Sequence, residues 1–567
     1  MNREYISKRE YRLSDKHLEC YVDDNGWQIV GGKIGVLART QGISGKGMYG
    51  AILWWNTSSG KYIQEVISIK DLRKLRSTEV YDFLNEKGYW FGRNSNCWSL
   101  LKEYLLDEIE MAPQAIVVDK MGWHGNVFVG EGWSLGGDEG YHFINYSDAL
   151  TLKSSGEFDD WKNNIGALCV GNPMMIFSIG VALAAPVLKK TDTENGIFHI
   201  RGASSTGKTT LLELGASVYS DRSYMMSWVA TENGLAAAAA TRNDLLFLLD
   251  EIGSNVSKDI GAVIYHLIGG VSKQRANKFG ALSGGVSWRT LGLSSGEISL
   301  TDMLLKEGEK AKAGQEIRLL EIPAFGNFGV FNNLHGFTKP QLFVDHLKKQ
   351  MKLYYGSLLI EWITLLTGLP EALGVPYESD CTVIQEINSE KERISNLWIS
   401  SEMSSQVVRS LQRFALIAAT LSVASQNKLL PWDKEESIRS VKECWDQWIK
   451  SRGHVMNSED FELLTRLKKA SFEWISKLSP ISEYKNPDLK YFLMRKNEAE
   501  IWLIDTDEFK ESLNLPLRSQ SQITNLISLG LLHANEATRG TYKYSGRRFF
   551  AVYPEALNKM LEGCDDA

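Results

Sequence analysis

The sequence predicts an α/β core built on a parallel sheet, with a β-rich region before it and a helical segment and a mixed helix-and-ribbon segment after it. Two observations carry the core. The strand-like run Gly196–Arg201 feeds directly into a glycine-bearing loop and a helix, and the apolar run from Asp244 to Leu249 ends in the adjacent acids Asp250 and Glu251. A third observation bounds it: beyond about residue 338 the texture changes to apolar residues at helical spacing.

A chain of 567 residues exceeds what one hydrophobic core supports, which implies about three or four domains. The reading divides it into a β-rich region of unknown role (1–155), the α/β core (156–338), a helical lid-like domain (339–458) and a C-terminal domain (459–567). With 43% hydrophobic and 23% charged residues the composition is that of a globular protein. The balance of 63 basic against 69 acidic residues, a net charge of -6, excludes a surface coated throughout in nucleic acid, so any such contact is local. Six cysteines without a CxxC pair read as reduced thiols. The first residues, MNREYISKREYRLSDK, have no apolar stretch for a signal peptide, and the longest apolar run, Pro173 to Leu188, falls short of the ~20 residues that span a bilayer. A cytoplasmic protein without a membrane partner is expected.

In chain order, residues up to about 155 are rich in Gly, Trp and Tyr, with short alternating runs such as Trp27 to Val30 and Val127 to Val129 separated by turn signals, which suggests small β modules. Trp161 to Leu188 reads as helix, and Gly196 to Arg201 as the strand that opens the core. Leu342 to Leu366, Ile394 to Ala424 and Glu435 to Ser451 show helical spacing. The alanines at 236 to 240 mark tight helix packing.

Gly202-Ala203-Ser204-Ser205-Thr206-Gly207-Lys208-Thr209 fits GxxxxGK[ST], with GIFHIR before it and a helical stretch from Thr210 after it. Glycines at both ends allow the loop to curl so that backbone N–H groups converge on phosphate oxygens, and the following helix adds its positive amino end. Gly202, Ser204, Ser205, Thr206, Gly207, Lys208, Thr209 and Thr210 are therefore the expected ATP contacts. Lys208 would reach the outer phosphates and Thr209 would place its hydroxyl on Mg2+. The alternative is a glycine-rich turn without a ligand.

Acids that close a buried parallel strand emerge at its carboxyl edge, where open α/β sheets bind ligands. Asp250 is expected in the Mg2+ shell and Glu251 as the group that orients or deprotonates water. The pair favours ATP hydrolysis over phosphoryl transfer to another acceptor. Trp288 to Ser295 reads as a further buried strand whose Ser294 or Ser295 could sense the γ-phosphate, or could be an ordinary strand-terminal serine. Arg318, at the start of another strand in GQEIRLLEIP, could be a finger toward a neighbouring subunit's nucleotide or a surface ion-pair partner.

Two stretches could touch nucleic acid. Lys273, Arg275 and Lys278 cluster in GGVSKQRANKFG, as a pore loop or as a solvated charged loop. Near the carboxyl terminus, a polar helix from Ser519 to Leu529 is followed by Gly530 and a ribbon turning at Ser545-Gly546, the outline of a winged helix. Arg539, Lys543, Arg547 and Arg548 give that ribbon a positive face. Winged helices also dock proteins.

Taken together, GIFHIRGASSTGKTT, DEIG at Asp250 to Gly253, KQRA at Lys273 to Ala276, WRTLGLSSGE and GQEIRLLEIP resemble the domain-of-unknown-function 927 family, helicase-like proteins, some inactivated, of prophages and mobile elements. The resemblance spans roughly residues 115 to 455. It implies a P-loop NTPase core, AAA+ or helicase-like, similar to ring-forming replicative helicases, with Lys208, Thr209, Asp250, Glu251, a sensor at Ser294 or Ser295 and a finger at Arg318 in the roles given above. Larger relatives often carry a primase or zinc module; no Cys/His spacing here suits one, so priming would come from a separate partner. The expectation is a homo-oligomeric ring, most simply a hexamer, that uses ATP and Mg2+ to translocate on single-stranded or forked DNA. Its rivals are an ATP-driven regulatory or defence switch and a nucleotide-dependent DNA-binding scaffold.

Overall fold

The computed structural model describes residues 9–22, 26–42, 49–74, 78–137, 140–144, 152–254, 260–272, 275–276, 282–283, 286–306, 317–368, 382–496, 499–516, 519–533 and 540–565. The fold is mixed α/β around a parallel sheet.

The first part holds three small sheets. Strands β1 (Tyr11–Leu13), β2 (His17–Val22) and β3 (Gly26–Gly32) form an antiparallel sheet. β4 (Ile34–Gly42), β5 (Gly50–Asn56), β6 (Tyr62–Ser68), β7 (Gln114–Val118) and β11 (Tyr141–Phe143) form a mixed sheet in the order β11-β7-β4-β5-β6. Between β7 and β11 in sequence, β8 (Gly122–His124), β9 (Val127–Val129) and β10 (Ser134–Leu135) make a small meander. The region is not only β: helix Cys97–Met111 buries Leu100, Leu101 and Leu105 in one core with Leu53 and Trp55.

The central sheet contains β12 (Gly196–Arg201), β13 (Met226–Ser227), β14 (Phe247–Asp250), β17 (Leu291–Gly296) and β18 (Leu319–Pro323), all parallel, in the order β13-β14-β17-β12-β18. A two-stranded ribbon, β15 (Arg275–Ala276) with β16 (Leu282–Ser283), lies between β14 and β17 in sequence. Strands covered on both faces need apolar residues at nearly every position, and β12 and β17 are buried almost end to end. Helix Pro173–Ala184, buried at all twelve positions, and helix Lys208–Ser217 pack against the sheet. Two expectations needed adjustment. Helix does not run unbroken from Trp161 to Leu188, since Val170–Asn172 interrupt it with Gly171 at φ +77°. The strand reading from Asp244 is also too long: Asp244 turns at φ +56° and β14 begins at Phe247.

Helices Pro340–Leu353, Ser357–Thr367, Thr382–Trp398, Ser405–Gln426 and Lys434–Arg452 follow. They share one apolar core with the sheet, in which the rings of Phe177, Phe198 and Phe414 lie 5.1–5.7 Å apart. Ser405–Gln426 is long and apolar enough to cross a membrane, but it is buried within this core, as the central helix of a globular protein would be. Among the described residues no other helix passes that test.

The last segment combines helices Ser458–Ile475, Thr506–Ser512 and Gln520–Ser528 with a sheet of β19 (Ser479–Pro480), β20 (Tyr491–Lys496), β21 (Ala499–Asp505), β22 (Tyr542–Tyr544) and β23 (Arg547–Val552), ordered β19-β20-β21-β23-β22. The β22–β23 ribbon turns through Ser545 at φ +45° and Gly546 at φ +94°, the two positive dihedrals a two-residue hairpin turn demands.

Candidate functional site

The loop 202–207 joins β12 to helix Lys208–Ser217 at the carboxyl edge of the central sheet. Gly207 sits at φ +96° as the residue preceding the helix; a Cβ there would lie 2.8 Å from both Val330 and Phe331. Ser205, at φ +64°, takes the left-handed region without a glycine's freedom. The loop is braced from outside by Val330, whose N–H donates to the Thr206 carbonyl at 2.9 Å, and from inside by the Thr206 hydroxyl, which donates to the Ala203 carbonyl at 2.9 Å. Lys208 is buried, and its Nζ donates to the carbonyls of Gly202 (2.9 Å) and Ala203 (2.7 Å), so the ammonium crosses the mouth of the curl. Ser204 and Ser205 are exposed on its crest, whereas Thr210 is buried in the first turn of the helix.

β17 separates β12 from β14, so the ends of those two strands are about 10 Å apart, twice the spacing of neighbouring strands. Side chains span the gap. Thr209 Oγ1 donates to Asp250 Oδ1 at 3.2 Å, and Ser295 Oγ, from the intervening strand, donates to the same oxygen at 2.5 Å. Ser295 Oγ also accepts the Glu251 N–H at 3.1 Å. Glu251 itself is exposed and held at φ +58°, a conformation a non-glycine residue keeps only when its surroundings enforce it. The Ser295 hydrogen bond is one such constraint.

Of the two candidate sensor serines, only Ser295 belongs to this cluster. Successive strand residues point to opposite faces, and Ser294 is fully buried on the other one. It accepts from Trp228 Nε1 at 2.8 Å and shares a hydrogen bond of 3.0 Å with His199 Nδ1. Burial pushes the His199 pKa down to about 3. Trp228 also donates its backbone N–H to the Asp250 carbonyl at 3.2 Å, tying this buried network to the acidic strand. Sequence reasoning passed over His199 and Trp228; the signal was the alternation in GIFHIR, which places one polar side chain in the middle of an otherwise apolar strand.

Arg318 lies just before β18, at the amino edge of the sheet, with its guanidinium 4.3 Å from the Tyr265 ring. Within one chain it is therefore not brought together with Lys208 and Asp250, which occupy the other edge. Lys273, Lys278 and Arg539 lie outside the described residues, and of Arg275 only the backbone, in β15, is described. In the C-terminal ribbon Lys543 and Arg548 are directly opposite each other and exposed. Arg547 departs from the expected nucleic-acid face: its guanidinium donates to the carbonyls of Tyr484 (3.0 Å), Asn486 (3.3 Å) and Leu489 (3.0 Å) and packs against Phe492 and Phe549. A five-donor fork serving three carbonyls is a structural clamp.

Residues 12–285 match the family model described as Domain of unknown function (DUF927). The match reaches further toward the amino terminus than the spaced blocks suggested and ends before Trp288 and Arg318. No curated protein matches the sequence. Among solved structures the chain is similar to "SCCmec type IV Cch - active helicase", with a TM-score of 0.65 and 17% identity over 97% of this chain and 98% of that one. At that identity the likeness is one of fold. "The A form apo structure of NrS-1 C terminal region-CTR" aligns over 92% of this chain and 96% of that one at 10% identity, with a TM-score of 0.32.

Proposed function

From the premise that residues 12–285 carry the DUF927 domain, we propose that this protein is a P-loop ATPase that requires Mg2+ and works as a DNA helicase in an oligomeric ring. The observation that carries the reading is the convergence of Thr209, Asp250 and Ser295 on one oxygen, beside a loop whose curl is closed by the Lys208 ammonium. The full-length likeness to a structure described as an active helicase supports it.

The donor set suits the cofactors. A threonine hydroxyl and a carboxylate are hard oxygen ligands of the kind Mg2+ takes together with phosphate oxygens. A bound Mg2+ would neutralise charge on the phosphates as the terminal P–O bond breaks. Lys208 would exchange its two loop carbonyls for phosphate oxygens, a stronger pairing because the acceptors are charged. Asp250 holds its place through Thr209 and Ser295. Glu251 lies one residue beyond the end of β14 and is exposed, where its carboxylate can take a proton from the attacking water. Ser295 links the two acids, so any shift of Asp250 is felt at the Glu251 backbone. Arg318, on the far edge of the sheet, would act on the nucleotide of a second subunit. The opposed, exposed Lys543 and Arg548 supply a local cationic surface for DNA phosphates; like charges facing across a ribbon repel unless an anion lies over them. The C-terminal helix and ribbon would then work as a winged helix.

The test is the ATPase rate with Mg2+, with and without single-stranded and forked DNA, for the wild type, Lys208→Ala and Glu251→Gln, together with strand separation on the fork. Both variants should lose at least a hundredfold in rate, and DNA should stimulate the wild type. Absence of Mg2+-dependent hydrolysis in folded wild-type protein sinks the ATPase reading. Hydrolysis indifferent to DNA, without strand separation, sinks the helicase reading alone and points to a nucleotide-driven switch.

A further inference from the structure

At the amino edge of the central sheet, opposite the Lys208 loop, lies a cavity of about 610 Å3, within the ~300–1,000 Å3 range of small-molecule sites. Its wall is made by the residues that precede the strands: Asn195 before β12, Asp244 before β14, Arg289 before β17 and Arg318 before β18. Helix Ser405–Gln426 closes one side with Arg409 and Arg413, and the 119–125 turn closes another with Lys120 and Trp123.

The charges do not cancel. Glu194 is used up by two cations: Arg409 Nη2 donates to it at 2.8 Å and Arg413 Nη2 at 3.0 Å, while the rest of the Arg413 fork serves the carbonyls of Asn195 and Ile317. Asp192 faces Lys391. Lys120 and Lys189 donate to the carbonyls of Ser287 and Trp123, at 2.7 and 3.0 Å, and Lys189 also lies within electrostatic reach of Asp244. The half-buried Arg289 guanidinium makes no hydrogen bond among the described residues and lies within electrostatic reach of Asp244; its backbone is tied down by Asn243 Oδ1 and by the Asp244 N–H. The remaining acid, Asp244, is fully buried. Its Oδ2 accepts the Trp123 N–H at 3.0 Å and the Asn243 amide at 2.8 Å, and its Oδ1 has no partner. Burial raises the Asp244 pKa, against the lowering pull of its hydrogen bonds and of the nearby Lys189 and Arg289 charges.

A planar five-donor guanidinium with no hydrogen-bond partner among the described residues, in a cavity where the cations Lys120, Lys189, Arg318, Arg409 and Arg413 outnumber the acids Asp192, Glu194 and Asp244, is a constellation for a multiply charged oxyanion. We infer that this cavity binds a polyphosphate group, anchored by Arg289 and lined by Arg318, at a position separate from the chain's own Lys208 loop. The group has two sources: a free polyphosphate, or the triphosphate held by a second copy of this chain, the latter resting on the ATPase reading above. Either way Arg289 is a binding residue in addition to Arg318.

Inorganic tripolyphosphate is the probe, titrated calorimetrically into full-length Lys208→Ala protein, in which the loop is disabled, at a dilution where light scattering gives a monomer. It should bind, and adding Arg289→Ala should weaken binding at least tenfold with an unchanged thermal midpoint. If Arg289→Ala melts early, Arg289→Gln, which keeps most of the side-chain length, should show the same loss. No binding to Lys208→Ala, or affinity within twofold once Arg289 is replaced, overturns the inference. A second arm separates the sources. Mixed Arg289→Ala and Lys208→Ala subunits that regain ATPase activity assign the phosphate to a neighbouring copy; no regain, with tripolyphosphate binding still dependent on Arg289, assigns it to a free polyphosphate. A wild type without ATPase activity would remove the neighbour's triphosphate and leave the calorimetric result standing.

Discussion

Replacing Ser295 by alanine removes one oxygen that serves two partners: it donates to Asp250 Oδ1 and accepts the Glu251 N–H. A hydrogen bond to a charged group contributes about 1.5–3 kcal/mol, and the Asp250 bond is of that kind. The Glu251 N–H, in a left-handed conformation that needs enforcing, loses its partner as well. If that energy holds the acids in the geometry that turnover requires, then at ~1.4 kcal/mol per decade the rate falls about 10- to 100-fold. The 202–207 loop makes no hydrogen bond to Ser295, so KM for ATP should change by less than about threefold, because an interaction needed only at the transition state lowers kcat and kcat/KM together. Steady-state ATPase kinetics with Mg2+ give both numbers, and Ser295→Thr, which restores the hydroxyl, should recover part of the rate. A folded Ser295→Ala protein with wild-type kcat, or one whose whole defect is in KM, would refute the assignment of Ser295 to the acidic pair.

Three further outcomes are expected. Gly207→Ala places a methyl group 2.8 Å from Val330 and Phe331 at φ +96°, and should cost about 1–3 kcal/mol of stability in urea melts and abolish nucleotide binding by fluorescent-analogue titration. His199 has a folded pKa of about 3 against an ordinary value near 6.5, so the unfolded chain binds the extra proton between those pH values; its contribution to stability is intact above pH 6.5 and is lost as pH falls toward 3. From pH 7 to 5 that loss is up to about 2 kcal/mol, and His199→Gln should be correspondingly less sensitive in paired urea melts. Arg547→Ala should lower the melting temperature by removing bonds to the carbonyls of Tyr484, Asn486 and Leu489, whereas Arg548→Ala should leave it unchanged and reduce the salt slope of DNA binding by about one.

The legible parts of the site are those whose geometry is written locally. A strand, a loop that must curl and a helix were readable from GIFHIR, the two glycines and the residues after Lys208, because backbone freedom and period are properties of short segments. The acids after a buried run were readable for the same reason. What could not be read was orientation. Ser294 and Ser295 are chemically identical neighbours, and only the register of β17 against β14 and β12 sends one to Asp250 and the other to His199. Arg547 and Arg548 present the same problem: one clamps the protein's own carbonyls and the other faces solvent.

Local residue order specifies which segments become strand, curled loop and helix, and which residue types stand at their ends. Only the tertiary structure decided which of those ends meet. Strand order inserts β17 between the loop strand and the acidic strand, so Asp250 is met both by Thr209 beside the loop and by Ser295 from the intervening strand. It also gathers Asp244, Arg289 and Arg318, far apart in the chain, at the opposite edge. The physical reason is that local propensity acts over a few residues, whereas the side on which a side chain emerges is fixed by pairing and packing with partners up to hundreds of residues away.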